Sequence, residues 1–269
     1  MTQDFRHLEY ELHESIVQIQ SALQLAGQAD SESYQALEDV KHLIADKTYV
    51  LAVMGEFKRG KSSLINALMG NRVLPADVEP TTATLNRITY ATKPQVSVRY
   101  HDGLVQEVPI ADLASFVSKQ GLNGRTQAED IDEVTIGYPV PFTQNHIDIY
   151  DTPGLNDDER MTAIAVKMVE KADMVLVPLS ALAPYSEVEQ DFVCKLIRNE
   201  NIDRVMFVVT FLDMLGEDGI DYNYQRFMYG HGGVAWRIKE LTFQRLAGDE
   251  EALAKAHAML DDLDLCAVS

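Results

Sequence analysis

The run Gly55-Glu56-Phe57-Lys58-Arg59-Gly60-Lys61-Ser62-Ser63 has the residue types and spacing of a loop that holds phosphates. Two glycines flank a short turn and Lys-Ser follows, so consecutive backbone N–H groups can converge on one anion. The lysine adds a point charge and the serine a hydroxyl suited to Mg2+. This chemistry needs a strand before the loop and a helix after it. "TYVLAVM" (48–54) reads as a buried strand, and "KSSLINALMG" (61–70) as a short helix stopped by Gly70. An anion would then lie at a helix N-terminus, where the backbone dipole favours it. The expectation is that amides of 56–63 wrap the phosphates, Lys61 reaches the β- and γ-phosphates, and Ser62 ligates Mg2+. Lys58 and Arg59 are surplus cations for ground-state binding. Either both are solvated loop charges, or Lys58 aids the transition state, where an added cation is worth ~10³–10⁵ in rate when an arginine finger supplies it, while Arg59 binds a partner or an acidic neighbour.

Three further stretches could complete such a site. Asp151-Thr152-Pro153-Gly154 follows the strand-like "HIDIYD", so a carboxylate at a strand end could hold Mg2+ through water. The glycine could offer its N–H to a γ-phosphate, because no side chain blocks the approach. In "LPADVEPTTATLN", Thr81, Thr82 and Thr84 are candidates to close on Mg2+, or simply residues entering a strand. "RVMFVVTFLD" ends at Thr210 and Asp213. A carboxylate there could accept from guanine N1 and N2, a donor pair that adenine lacks; it could equally cap a turn.

The elements that must position these residues alternate between strand and helix, the pattern of an α/β fold with a mostly parallel sheet. Strands are expected at 48–54, 85–91, 95–100, 104–108, 131–138, 146–150, 174–180 and 204–211. Helices are expected at 61–70, 110–120, 161–171, 186–199, 234–247 and 249–260, with a mobile loop at 121–130 and a last apolar segment at 263–269. "GIDYNYQRFMYGHGG" (219–233) reads as an aromatic loop that packs on the surface, caps a base or joins a dimer face. Ahead of all this, residues 1–47 form a separate helical region. Phe5, Leu8, Leu12, Ile16, Ile19 and Leu23 make one apolar seam on a helix over 4–27, with Gly27 as its stop. A second helix follows Asp30, Ser31 and Ser33. The pair is either a hairpin packed on the main domain or part of a larger bundle.

Composition narrows the partners. The 269 residues carry a net charge of −19, which argues against general nucleic-acid binding and against attraction to an anionic membrane. Hydrophobic residues make up 46% of the chain, enough for a substantial core. Cys194 and Cys266 lie in apolar segments and read as reduced core thiols, so a cytoplasmic location is expected. The acidic N-terminus is no signal peptide, and no apolar run reaches the ~20 residues of a membrane span.

The order "GEFKRGKSS", "PTTA", "DTPGLND", "TFLD" resembles the GTPase domain of the dynamin superfamily, and is most similar to bacterial dynamin-like proteins. The resemblance covers about residues 48–269, and the preceding helices look like the start of that family's helical neck. It implies a P-loop GTPase domain with bound Mg2+, in which Thr82 binds the metal and orients water together with the P-loop. It also implies a homodimer across the nucleotide face that presses Lys58 onto its own phosphates. In the full-length family such domains remodel membranes, and membrane contact would come only through regions absent from this chain. Two positions depart from the pattern: Phe211 stands where a lysine usually follows the guanine-motif threonine, and Leu155 where Ras-like enzymes place a glutamine. The resemblance puts the last guanine-contacting motif near Ala267-Val268-Ser269, so the chain reads as C-terminally truncated.

The expectation is thus a GTP-hydrolysing dynamin-like domain at 48–269 with a partial neck at 1–47. Its expected nucleotide contacts are Gly55 to Ser63, Thr210 and Asp213; its metal ligands Ser62, Thr82 and Asp151; its catalytic groups Lys58, Lys61, Thr82 and Gly154. The rival readings are a nucleotide-gated interaction module with little turnover and an Era-like ribosome-associated GTPase.

Overall fold

A computed structural model of the chain describes residues 5–46, 48–74, 85–110, 113, 130–155, 167–199, 204–215, 223–263 and 265–268. The chain divides into two compact units, Met1–Thr48 and Tyr49–Ser269.

The first unit contains helices α1 (Phe5–Leu25) and α2 (Glu32–Asp46). Gly27, with φ 70°, ends α1 by letting the Gln28 amide donate to the Leu23 carbonyl at 2.8 Å. Ser31 starts α2 by accepting from the Tyr34 amide at 3.2 Å. Polar contacts contribute to the pairing of the two helices: Gln20 donates to Glu38 at 2.6 Å and Gln24 to the Tyr34 hydroxyl at 3.0 Å. Of the expected seam, Ile16 is buried, whereas Leu12 and Ile19 are 46% and 50% exposed. The side chains of Phe5 and Leu8 lie outside the described residues.

The second unit is built on one sheet. Its strands are β1 (Tyr49–Val53), β2 (Leu85–Tyr90), β3 (Gln95–Tyr100), β4 (Val105–Val108), β5 (Ile131–Tyr138), β6 (Ile147–Asp151), β7 (Met174–Ser180), β8 (Val205–Thr210) and β9 (Leu265–Ala267). They lie side by side in the order β4-β3-β5-β2-β6-β1-β7-β8-β9. β6, β1, β7, β8 and β9 run parallel, as do β2 and β5; β2 meets β6 antiparallel, and β3 is antiparallel to both β4 and β5. The sheet is therefore mostly parallel, with an antiparallel extension at one side.

Strand periodicity divides the core in two. In β1, Leu51 and Val53 face one apolar cluster, while Ala52 and the following Met54 face another. The first cluster includes Leu64, Ile65 and Met69 of helix α3 (Lys61–Met69). The second includes residues of α4 (Glu187–Arg198), α6 (Val234–Leu246) and α7 (Glu250–Leu260). Burial on both faces explains why β1, β7 and β8 read as near-continuous apolar runs.

Two expectations need correction. Residues 219–233 are not wholly loop: Tyr224–Tyr229 form a short helix, α5, whose Met228 is fully buried in the second cluster. Cys266 is exposed, unlike Cys194, because it lies on the outermost strand β9 and alternates with the buried Leu265. Most of the helix expected at 110–120, nearly all of the loop at 121–130 and most of the helix at 161–171 lie outside the described residues.

Candidate phosphate-binding site

The C-terminal ends of β1 and β6 bring two of the sequence motifs together. The Thr152 hydroxyl donates to the Val53 carbonyl at 3.0 Å, the Leu155 amide donates to the Gly55 carbonyl at 3.1 Å, and Glu56 and Leu155 form an isolated parallel bridge. Gly154 is buried in this seam. The loop then turns through Lys58, whose φ of 59° is left-handed without being glycine, and through Gly60 at φ 83° before α3 begins. A Cβ at Gly55 would stand 3.5 Å from the Pro178 carbonyl oxygen of β7.

The three cations of the loop have three different partners. Lys61 is buried, and its ammonium donates to the Gly55 and Glu56 carbonyls at 3.0 and 2.8 Å. The Arg59 guanidinium lies between two carboxylates, Glu56 and Glu189, with its Nε 2.9 Å from Glu189 Oε1. Lys58 is exposed, with Nζ 5.4 Å from the centre of the Phe57 ring. The side chains of Ser62 and Ser63 differ: Ser62 turns inward and Ser63 is exposed.

Ser62 donates to Asp151 Oδ2 at 2.8 Å. Burial pushes the Asp151 carboxyl above its ordinary range, against the opposing pull of Lys61, Ser62 and Asn86. Among the described residues, Asp151 Oδ1 and Asn86 Oδ1 are buried without a hydrogen-bond partner. Two buried oxygen acceptors beside a serine hydroxyl suit a hard cation, so these residues fit Mg2+. Among the described residues no three His, Cys, Asp or Glu side chains cluster as a metal site. A cation here would therefore draw its remaining ligands from water and from the bound phosphates. Thr81, Thr82 and Thr84 lie outside the described residues.

At the far side of the loop, the Thr210 hydroxyl donates to the Arg59 carbonyl at 2.9 Å, and the Phe211 ring stands 3.5 Å from where a Gly60 Cβ would be. Phe211, at φ 60°, directs the chain into the 3-10 turn Leu212–Leu215, on which Asp213 is exposed. The end of β8 thus lies beside the loop, with the Asp213 carboxylate open to solvent.

Sequence reasoning missed two residues of this neighbourhood. Asn86 stands opposite Asp151 in the β2–β6 ladder. Its signal was a polar residue on the same strand face as the fully buried Ile88. Glu189 was visible only as the third helical residue of a capping box with Ser186. Its meeting with Arg59, across 130 residues of sequence, had no local signal.

A family model described as the dynamin family matches residues 51–212. An uncharacterized protein in the xynA 3′ region of Caldicellulosiruptor sp. is 31% identical over 220 residues, covering 80% of this chain and 54% of that protein. The bacterial dynamin-like protein of Nostoc punctiforme is 30% identical over 214 residues, covering 74% of this chain and 30% of its own length. The chain therefore spans about half of the first relative and under a third of the second. Among solved structures, one of an oligomerised bacterial dynamin pair aligns with all of this chain and 46% of its own, at a TM-score of 0.65 and 20% identity. That likeness carries the fold.

Proposed function

The chain belongs to the dynamin family, and on that premise we propose that it binds GTP with Mg2+, hydrolyses it, and does so faster when two copies meet across their nucleotide faces. The observation that carries the reading is the meeting of Lys61, Ser62 and Asp151 beneath one glycine-flanked loop, with an acceptor oxygen of Asp151 left unpaired.

Each residue has a distinct task in this reading. Amides of Gly55 to Ser63 surround the α- and β-phosphates, and Lys61 exchanges its two carbonyls for β- and γ-phosphate oxygens. Ser62 and Asp151 would hold Mg2+, which would supply positive charge against the charge that builds on the bridging oxygen. Gly154 donates its N–H to the γ-phosphate, and Thr82, outside the described residues, would add a ligand to the metal and help direct the attacking water. Asp213 accepts from guanine N1 and N2. The water oxygen bonds to the γ-phosphorus, the bond to the β–γ bridging oxygen breaks, and the water proton leaves on inorganic phosphate. Lys58, free of carboxylate partners among the described residues, is the cation available to the developing charge. Membrane work belongs to the same reading at the level of the family; no helix among the described residues is long and apolar enough to cross a membrane.

A second reading has its own observation. Leu155 is buried at 5% exposure and bridged to Glu56, so no side chain at that position can orient water. A switch that binds GTP with little turnover would look the same. Steady-state hydrolysis over a range of protein concentrations separates the two. For a dimer-stimulated GTPase, specific activity rises with concentration. Lys58→Ala then keeps GTP affinity and loses roughly tenfold in kcat, about 1.4 kcal/mol on the barrier. Tight binding with no turnover at any concentration favours the switch, and an unchanged kcat in Lys58→Ala removes that lysine from catalysis.

A further inference from the structure

Arg59 is the most heavily engaged cation of the loop, and its engagements lead away from the phosphates. Its guanidinium contacts the carboxylates of Glu56, within the loop, and Glu189, at the start of α4. Its carbonyl accepts from Thr210 at the end of β8. One residue therefore ties the loop to a helix and to a strand that reach it from distant parts of the sequence.

The Glu189 end of this contact is built with care. Glu189 is fully buried, a rare place for a carboxylate. Its Oε2 accepts from the Ser186 amide at 2.7 Å, while the Ser186 hydroxyl accepts from the Glu189 amide at 3.3 Å. The capping box fixes the carboxylate and leaves Oε1 facing Arg59 at 2.9 Å. Oε1 and Arg59 Nε are not aligned for a hydrogen bond and have no other hydrogen-bond partner among the described residues, so charge rather than hydrogen bonding holds them. A helix cap alone does not require burying a negative charge, since glutamine also serves at this position.

The backbone explains why the loop needs such a hold. Lys58, immediately before Arg59, adopts a left-handed conformation that is unfavourable for a non-glycine residue. Such a conformation persists only where its surroundings over-determine it. Arg59 supplies that restraint on one side and Gly60, packed under Phe211, on the other.

We propose that Arg59 and Glu189 are a positioning pair: the ion pair between them, buried at its Glu189 end, holds the P-loop in the shape that receives a nucleotide. The pair touches no phosphate and acts through the loop backbone. The inference rests on the P-loop binding nucleotide, as proposed above, and adds residues that act on affinity rather than turnover. It also makes the start of α4 a lever on the nucleotide site.

The test is equilibrium binding of a fluorescent GDP, together with steady-state GTP hydrolysis at saturation. Glu189→Gln keeps the volume and the cap acceptor but removes the charge. It weakens GDP by roughly tenfold or more, as expected when one partner of a buried charged pair is lost. kcat at saturating GTP stays within about twofold, since affinity without turnover is the signature of a ground-state contact. Arg59→Ala loses affinity in the same way, and combining it with Glu189→Gln adds no further loss. Ser186→Ala is the control for stability: it removes the hydroxyl of the cap, leaves the ion pair, and lowers Tm while retaining parental GDP affinity. The proposal is overturned if Glu189→Gln binds GDP like the parent. It is also overturned if the losses of the single variants add, or if Ser186→Ala and Glu189→Gln lose affinity equally at matched loss of Tm. A parent that binds no nucleotide sinks this proposal together with the function it rests on; a parent that binds, with indifferent variants, sinks this one alone.

Discussion

At the scale of single residues, function and stability pull Asp151 in opposite directions. Its folded-state carboxyl is shifted upward, first by burial, while Lys61, Ser62 and Asn86 pull it back. A carboxyl shifted upward binds its proton more readily in the folded chain than in the unfolded one. The nucleotide-free protein therefore loses stability as pH rises from the ordinary value of 3.8 through the shifted one, and at neutral pH the ionised group is a net cost. Asp151→Asn removes the charge and retains an acceptor for Ser62. Without nucleotide, the variant should melt at or above the parent, by up to ~2–4 °C for each kcal/mol recovered. Its Mg2+-dependent gain in GTP affinity should disappear. Thermal melts with and without Mg2+ and nucleotide check both halves; a lower Tm in the nucleotide-free variant would mean the carboxylate stabilises the fold. At this scale the sequence identified the chemical types well, because a P-loop is local and each of its residues is a few positions from the next. Asn86 and Glu189 escaped, because their meaning comes from strand pairing and helix packing. No spacing rule told Arg59, held by two carboxylates, from Lys58, held by none among the described residues.

At the scale of elements, one buried amide organises the chain after α3. Asn66 donates to the Leu74 carbonyl at 2.7 Å and accepts from the Val73 and Leu74 amides at 2.8 Å each. It folds that segment back against its own helix, just ahead of the stretch that carries Thr82. Asn66→Ala strands two buried backbone groups and one half-buried one, so it should cost about 2–4 kcal/mol, measured as a lower denaturant midpoint at constant m-value. A loss under ~0.5 kcal/mol would show that water replaces the amide. The strands were legible because burial on one or both faces leaves a pattern of period two or a continuous apolar run. Helix α5 was not: six residues are too few to display helical periodicity, and the Gly230 to Gly233 stretch beside it reads as turn. The pairing of β2 with both β5 and β6 was equally hidden, since an apolar strand does not encode which neighbour it meets.

At the scale of the whole chain, the two compact units differ in how much apolar surface they bury. Among the described side chains of the first, Ile16 and Gln20 are buried, while Leu12, Ile19, Leu25 and Val40 are exposed. The second unit has two full clusters on either side of its sheet. Hydrogen exchange should therefore show amides of α1 opening well below the global unfolding free energy, ahead of those in β1 and β7. Equal protection in a monomeric sample would contradict this. The division itself was legible, because the pattern changes from helical seam to strand near Thr48. The apolar seam was less informative, since periodicity does not say whether anything covers it.

The position of β1 also carries a consequence for how the protein is made. Tyr49 pairs with Ile147 in β6, about 100 residues later, and the synthesis of that interval takes roughly 5–20 s at ~5–20 residues per second. During that time the strand that carries the P-loop has neither of its neighbours, because β7 is later still. β3 and β4 emerge in the meantime and can close as a hairpin, but β2 must wait for β5 and β6. On the ribosome, the interior of this sheet is thus completed after its antiparallel margin has begun to form. The apolar run at 49–54 is the segment most in need of a chaperone's cover until then.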